Sequence, residues 1–334
     1  INNQPTLATG ATPALMNVDE DAGAPSGMVG TAVSALIDSG GTHNNFSDPD
    51  GPGIGIAVTS LDETNGTWWF SSNSGTTWTQ VGAVSGTNAL LLSATGGRLY
   101  FEADPDFTGA VAPVVFHAWD RFTDGQFTGV SGTKFDPTTV PAGTDESPFS
   151  ADTDTAAIAI NPVNDAPVNV IGMGSVNAVE NTQFDFTGGT ALSVTDVDAG
   201  AGPGTMTVTL SVNNGTLLFR APGAPGGLAG DTNGADGMMS FTGSLGEVQT
   251  ALGLLSYQGN ANFSGGDTLT ITTSDNGNTG TGGALQDMDT VTITVTGEND
   301  QPTLVTGATP VLMNVDEDAG APSGMVGTAV SALI

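Results

Sequence analysis

The chain contains no cysteine. Disulfides, thiolate metal sites and cysteine nucleophiles are therefore excluded, and the composition suits an exported bacterial protein that does not depend on oxidative folding. Basic residues are almost as scarce: Arg98, Arg121, Lys134 and Arg220 stand against 35 acidic residues, a formal net charge of −31. Binding a phosphate backbone requires Lys and Arg, so no nucleic-acid partner is expected, and an anionic membrane surface is disfavoured for the same reason. Only two histidines occur, His43 and His117; without thiols they are too few for a zinc site. No nucleophile-elbow sequence is present, so His117 reads as a strand-face or core residue and no enzyme activity is expected. No apolar run reaches the roughly 18 residues of a membrane-spanning helix, so membrane insertion is not expected.

What the chain does contain is enough apolar material for cores, 38% of its 334 residues, despite 49 Gly and 18 Pro. That length accommodates two or three domains. The acid surplus either keeps a crowded extracellular protein soluble or serves a hard divalent cation, above all Ca²⁺, which takes carboxylate and carbonyl oxygens.

Internal repetition is the strongest signal. Residues 4–37 and 301–334 match at 32 of 34 positions, differing only at Ala8/Val305 and Ala14/Val311. Such self-similarity predicts a tandem array. Residues 301–334 are expected to be the first strands of a next repeat, either a cropped continuation or a segment donated to another copy. A weaker repeat lies inside the unit. NPVNDAP at 161–167, GENDQP at 297–302 and NNQP at 2–5 are matching Asn/Asp-Pro connectors. After them come VDEDAG at 18–23 and VENT at 179–182, then DPDG at 48–51 and DVDAG at 196–200. TNGTWWF at 64–70 and NNGTLLF at 213–219 follow, and VVFHAWD at 114–120 and LTITTSD at 269–275 close the series. The shared order predicts homologous domains over 1–163 and 164–300. Residues 121–154, which lack periodicity, are expected to be a surface insertion in the first.

Period-two runs such as TMTVTLSV at 205–212, TLTITTS at 268–274 and TVTITVT at 290–296 place Thr on one face and aliphatics on the other. They predict half-buried antiparallel strands and an all-β fold of tandem β-sandwiches. Asn65-Gly66 and Asn214-Gly215 are expected to close hairpins. Ser244 and Glu247 form a capping box and predict one short helix.

Taken together, the connectors, the acidic centres, the Asp-x-Asp pairs and the late Asp resemble the cadherin repeat. They are more closely similar to the cadherin-like repeats of giant bacterial adhesins, of which VNDAP at 163–167 is a hallmark. The resemblance implies tandem cadherin-like, immunoglobulin-like sandwiches with Ca²⁺ at each junction, secreted to a bacterial cell surface or a biofilm-type matrix filament. Carried over by residue, the central junction would use Glu20, Asn164, Asp165, Asp196, Asp198 and Asp275. The next would use Glu180, Asn299 and Asp300. Asp48, Asp50 and Asp120 would serve the junction before the first domain. Position 3 is Asn where position 300 is Asp, so that connector lacks a carboxylate. The second acidic motif of animal cadherins finds no match, so one or two ions per junction are expected.

The residues support this on their own terms. No single short segment supplies the six to eight oxygens that Ca²⁺ takes, and no EF-hand loop is present, so ligands must converge from distant segments. The plainer alternative is that the Asp-x-Asp pairs are only turns. The expected function is a structural extender of an adhesin or filament, partnered by neighbouring repeats of the same chain or by identical chains. The alternative is a module that grips glycans or other cells directly, motivated by Trp68, Trp69 and Trp78. Core and cross-strand packing is the plainer role for those rings.

Overall fold

The computed structural model describes residues 2–51, 53–121, 129–140, 147–199, 204–220, 223–277, 279–304, 307 and 309–333. The β-branched and Thr-rich runs form strands throughout, and the chain is all-β with one α-helix among the described residues. Two hydrophobic cores form separately. The first draws on residues 7–160 and the second on residues 176–295.

In the first body a five-stranded antiparallel sheet runs in the order Lys134–Phe135, Ala89–Ser93, Gly55–Ser60, Val114–Trp119, Phe149–Ala156. A four-stranded sheet runs Thr31–Ala32, Arg98–Ala103, Gly66–Ser71, Thr79–Gln80. Ile56, Val58, Leu90, Leu92 and Phe116 from the first sheet share one core with Trp68, Leu99 and Phe101 from the second. Trp68 and Phe101 face each other across neighbouring strands, ring centroids 5.0 Å apart.

The second face of the five-stranded sheet is also covered. Ala57, Ala89, Leu91, Trp119 and Phe149 form a further buried cluster, with Phe135 and Val140 packed on it. Every residue of Ala89–Ser93 is consequently buried, which is why that strand reads as a continuous apolar run rather than alternating. This corrects the expectation for 121–154. Among its described residues, Lys134–Phe135 and Phe149–Ala156 are strands of the sheet and Phe135, Val140 and Phe149 cover it; residues 122–128 and 141–146 lie outside the described residues. Aromatic residues far apart in an aperiodic stretch left no pattern to read.

The second body has a six-stranded sheet in the order Ser175–Val179, Gln286–Thr296, Gly265–Ser274, Met206–Ser211, Met238–Gly243, Ala229–Asp231. A three-stranded sheet of Phe184–Asp185, Leu255–Gly259 and Gly215–Phe219 completes it. Val208, Leu210, Leu269, Ile271, Val291 and Ile293 point inward while the Thr residues between them point out. The helix Leu245–Leu252 starts at the expected box: the Ser244 amide donates to Glu247 Oε2 at 2.8 Å, and Ser244 Oγ accepts from the Glu247 amide. It buries Val248, Ala251 and Leu252.

The two Asn-Gly pairs do not close hairpins. Gly55–Ser60 and Gly66–Ser71 belong to different sheets, as do Met206–Ser211 and Gly215–Phe219. Neither Gly66 nor Gly215 has a positive φ. Each opens a strand where a Cβ would collide with the neighbour: the Glu102 carbonyl and Phe101 ring at Gly66, and the Tyr257 ring and Gln258 carbonyl at Gly215. Glycine is needed there for close approach rather than for turn geometry.

Candidate metal centre

Both bodies share one feature, an early strand that runs parallel to the last. Val18–Asp19 pairs with Ile160–Asn161, and Ser175–Val179 pairs with the 292–296 stretch of the final strand. A glutamate follows each of these early strands and is held beside the outgoing connector. The Glu20 amide donates to the Asn161 carbonyl at 3.1 Å, and its Oε1 accepts from the Val163 amide at 2.6 Å. In parallel, the Glu180 amide donates to the Thr296 carbonyl at 2.9 Å and Glu180 Oε2 accepts from the Glu298 amide at 3.0 Å. Both carboxylates are buried.

From Pro162 onward the connector lies against the second body. The Thr281 amide donates to the Pro162 carbonyl at 2.9 Å, and the Asn164 amide donates to the Thr281 carbonyl at 3.0 Å. Gly280, at φ +92°, is where a side chain would press on Val163 and Asn164. Asn164 Nδ2 donates to Asp275 Oδ2 at 2.6 Å, and Asp275 Oδ1 accepts from the Gly277 and Leu285 amides, both at 2.8 Å. Asp165 then donates its amide to Asp198 Oδ2 at 2.7 Å. Asp196 shapes the turn that presents Asp198, its Oδ1 accepting from the amides of Asp198 at 2.9 Å and Ala199 at 3.0 Å.

The structure thus gathers Glu20 from the first body, Asn164 and Asp165 from the connector, and Asp196, Asp198 and Asp275 from the second. One carboxylate oxygen each from Glu20, Asp165 and Asp198 lie within 4.8 Å of one another. A second trio, Asp21, Asp106 and Asp165, meets the same limit and shares Asp165. Asp21 and Asp106 escaped the sequence reading. Asp106 ends another Asp-x-Asp, Asp104-Pro105-Asp106, which lies between TNGTWWF and VVFHAWD and outside the recurrent order. Asp21 adjoins Glu20 in the VDEDAG centre.

An all-oxygen donor set at these separations fits Ca²⁺, whose ligands lie about 2.3–2.6 Å from the ion. Two buried oxygens here accept no hydrogen bond, Asn164 Oδ1 and Asp165 Oδ2. Orphaned buried acceptors are rare in folded proteins, and a cation would satisfy both. Among the described residues the sole salt bridge is Arg220 with Asp185, neither of which belongs to the two acidic trios, so no salt bridge offsets these carboxylates. Burial and the neighbouring negative charges push the Glu20, Asp165 and Asp196 carboxyls above the ordinary carboxylate range. Each ionised pair at about 5 Å repels by roughly 3 kcal/mol at an effective dielectric near 20.

The two outer ends show parts of the same apparatus. At one end, the Asp50 amide donates to Asp48 Oδ1 at 3.0 Å, and Asn3 donates both its amide and its Nδ2 to the Asp50 carboxylate. Asn2 and Asp120, the counterparts in the repeat of Asn164 and Asp275, are both buried. No acidic trio forms there among the described residues. At the other end Glu180 is buried, but Asn299 and Asp300 are exposed.

No protein-family model matches the chain, and no curated protein matches it. Among solved structures it is similar to human CDH23 EC21-23, at 13% identity over 88% of this chain and 69% of that one, with a TM-score of 0.39. Mouse protocadherin-24 EC1-3 is similar at 15% identity over 88% and 72%, with a TM-score of 0.38. Mouse cadherin-23 EC22-24 is similar at 14% identity over 89% and 65%, with a TM-score of 0.35.

Proposed function

We propose that the chain is a structural extender, a calcium-stiffened tandem repeat of a large secreted bacterial adhesin or extracellular filament, with no catalytic role. Residues 1–163 and 164–300 are its two cadherin-like domains, and 301–334 are the opening of another. The observation that carries this reading is the meeting of Glu20, Asp165 and Asp198, from three separate segments, none of them in a salt bridge among the described residues. An ion there would share its coordination between both bodies and the connector. Its removal would leave like charges facing each other across the joint, and a joint that repels itself bends.

Glycan gripping has no comparable observation behind it. Trp68 is fully buried, with Nε1 donating to the Asp62 carbonyl at 2.9 Å. Trp69 is half-buried, with Nε1 donating to Glu102 Oε2 at 2.7 Å, and Trp78 Nε1 donates to the Gly27 carbonyl at 3.0 Å. All three indole N–H groups donate within the chain.

Small-angle scattering and thermal melting of the full chain, with calcium and then with chelator, test the proposal. The maximum dimension is expected to be larger and narrower in distribution with calcium, and the melting temperature higher. Identical scattering curves and melting temperatures in the two conditions would refute it.

A further inference from the structure

The connector between the two bodies is fastened unequally at its two ends. Asn161 still belongs to the first body: Ile160–Asn161 pairs with Val18–Asp19, and Asn161 Nδ2 donates to Asp19 Oδ1 at 2.9 Å. From the next residue the bonds turn to the second body, where the stretch 279–285 receives them. The Pro162 carbonyl accepts from the Thr281 amide, and Val163 and Thr281 form a parallel bridge. The Asn164 amide donates to the Thr281 carbonyl, and Asn164 Nδ2 reaches the Gly283 carbonyl at 3.2 Å. Thr279 Oγ1 donates to the Asp198 carbonyl at 3.4 Å, which ties the same stretch to the turn carrying Asp198. Past Pro162 the first body holds the connector through the Glu20 carboxylate, which accepts from the Val163 amide.

The first body grips its own incoming connector in the same manner. Asp120 and Asp275 each donate their amide to a carbonyl of the returning chain, Pro148 at 3.1 Å and Leu285 at 3.2 Å. Just before those carbonyls the chain accepts from the connector's asparagine: Asn2 Nδ2 donates to the Ser147 carbonyl at 3.3 Å, as Asn164 Nδ2 does to Gly283. Gln4 Nε2 adds a bond to the Phe149 carbonyl at 2.7 Å. Two stretches of unlike sequence and length thus end in one kind of grip. Its bonds run from amides to carbonyls, and a buried amide such as that of Asn164 needs its partner whether or not an ion is present. In the second body the approach depends on glycine. Gly280 has φ +92°, and a Cβ there would lie 2.6 Å from the Val163 carbonyl carbon and 2.7 Å from the Asn164 nitrogen. At Gly283 a Cβ would meet nothing within 4 Å.

We propose that residues 279–285 are a positioning clasp, which fastens the connector to the second body without an ion and so holds Asn164 and Asp165 in place for calcium. Ligands that are already ordered bind more tightly, because no ordering remains to be done when the ion arrives. The movable joint then lies on the other side of the clasp, at residues 161–163, where the second body and its connector swing as one piece against the first body. Calcium closes that side by drawing Glu20 to Asp165 and Asp198. The clasp side stays the same with or without it. The clasp rests on the hydrogen bonds alone, whereas its effect on affinity rests on the seam being a calcium joint.

Amide hydrogen exchange of the full chain, read residue by residue in calcium and in chelator, tests the clasp. The Asn164 and Thr281 amides are expected to stay protected in both conditions, and the Val163 amide to lose at least tenfold protection in chelator. Free exchange of Asn164 and Thr281 in chelator would overturn the proposal, because the ion and not the clasp would then hold the connector. Two substitutions within the clasp give a second measurement. Gly280→Ala should weaken calcium binding at least tenfold in a calorimetric titration and expose the Asn164 amide in chelator. It should leave the protection of the Ile271 and Ile293 amides, in the second core, unchanged. Gly283→Ala should match the parent in all three respects. Parent-like calcium affinity in Gly280→Ala would equally overturn the proposal, since Asn164 and Asp165 would then be placed without the clasp. A parent chain that binds no calcium, yet keeps Asn164 and Thr281 protected, would remove calcium stiffening and leave the clasp standing.

Discussion

Asp165 belongs to both acidic trios at the seam, while its amide is held by Asp198 and its Oδ2 is buried without a donor. Substituting Asp198→Asn keeps the size of the side chain and an acceptor for the Asp165 amide but removes one negative charge from the ligand set. Two opposing consequences follow. Without calcium the variant should be more stable than the parent, since one repulsive neighbour of Glu20 and Asp165 is gone. With calcium it should gain less, because the ion loses a charged ligand; calorimetric titration should show affinity at least tenfold weaker. If the variant bound calcium as tightly as the parent, Asp198 would not be a ligand.

At the level of single elements, the strands that open with Gly66 and Gly215 show how one glycine governs the entry of a strand into its sheet. Gly215 pairs with Gly259, and a Cβ there would lie 2.7 Å from the Gln258 carbonyl and closer still to the Tyr257 ring. Tyr257 has no room to yield. It is fully buried, and its hydroxyl donates to Asp267 Oδ2 at 3.0 Å. Asp267 also accepts from the Asn213 and Asn214 amides at 3.0 and 2.9 Å, locking the entry to the strand. Gly215→Ala is therefore expected to destabilise the second body by about 1–3 kcal/mol, as overpacking does. Gly174→Ala, where a Cβ meets nothing within 4 Å, should stay within about 0.5 kcal/mol. Chemical denaturation of the two variants reads the difference, and equal stabilities would remove the close-approach account.

For the molecule as a whole, the charge of −31 makes stability sensitive to pH and to cations together. Glu20, Asp165 and Asp196 have carboxyls raised in the folded protein, chiefly by burial. A raised carboxyl binds its proton more tightly when folded, so its contribution is fully present below the unfolded value and is lost as pH rises through the folded one. Asp185 and Glu247 are shifted the other way, Asp185 by the Ser256 hydroxyl and Glu247 by the Ser244 amide. Their contributions are lost only as pH falls through their lowered values, below the ordinary range near 4. In chelator the melting temperature should therefore rise as pH is taken from 7 towards about 5, then fall below about 4. With calcium the first trend should reverse, because protons compete with the ion for the same oxygens. A melting temperature in chelator that declines steadily from pH 7 to 5 would contradict the crowded-carboxylate account.

Much of this was legible in the residues themselves. Thr/aliphatic alternation at 268–274 and 290–296 announced half-buried strands because period two needs no partner to be recognised. The Ser244–Glu247 box announced a helix start because its hydrogen bonds are local. The resemblance to cadherin repeats pointed to six residues, of which Glu20, Asp165 and Asp198 place one carboxylate oxygen each within 4.8 Å of one another. Tertiary structure alone decided the rest. It set Asn65-Gly66 and Asn214-Gly215 at crossings between sheets, drew Phe135 and Phe149 out of an aperiodic stretch to cover a second sheet face, and brought Asp21 and Asp106 to Asp165. The two copies of one 34-residue stretch make the division plain. Their turns and their 3-10 helices are alike because those bonds close within a few residues. Among the described residues of the two copies, strands and buried leucines and valines occur only in residues 4–37, because a strand needs a neighbour and a core needs a second sheet, and no stretch of chain carries either by itself.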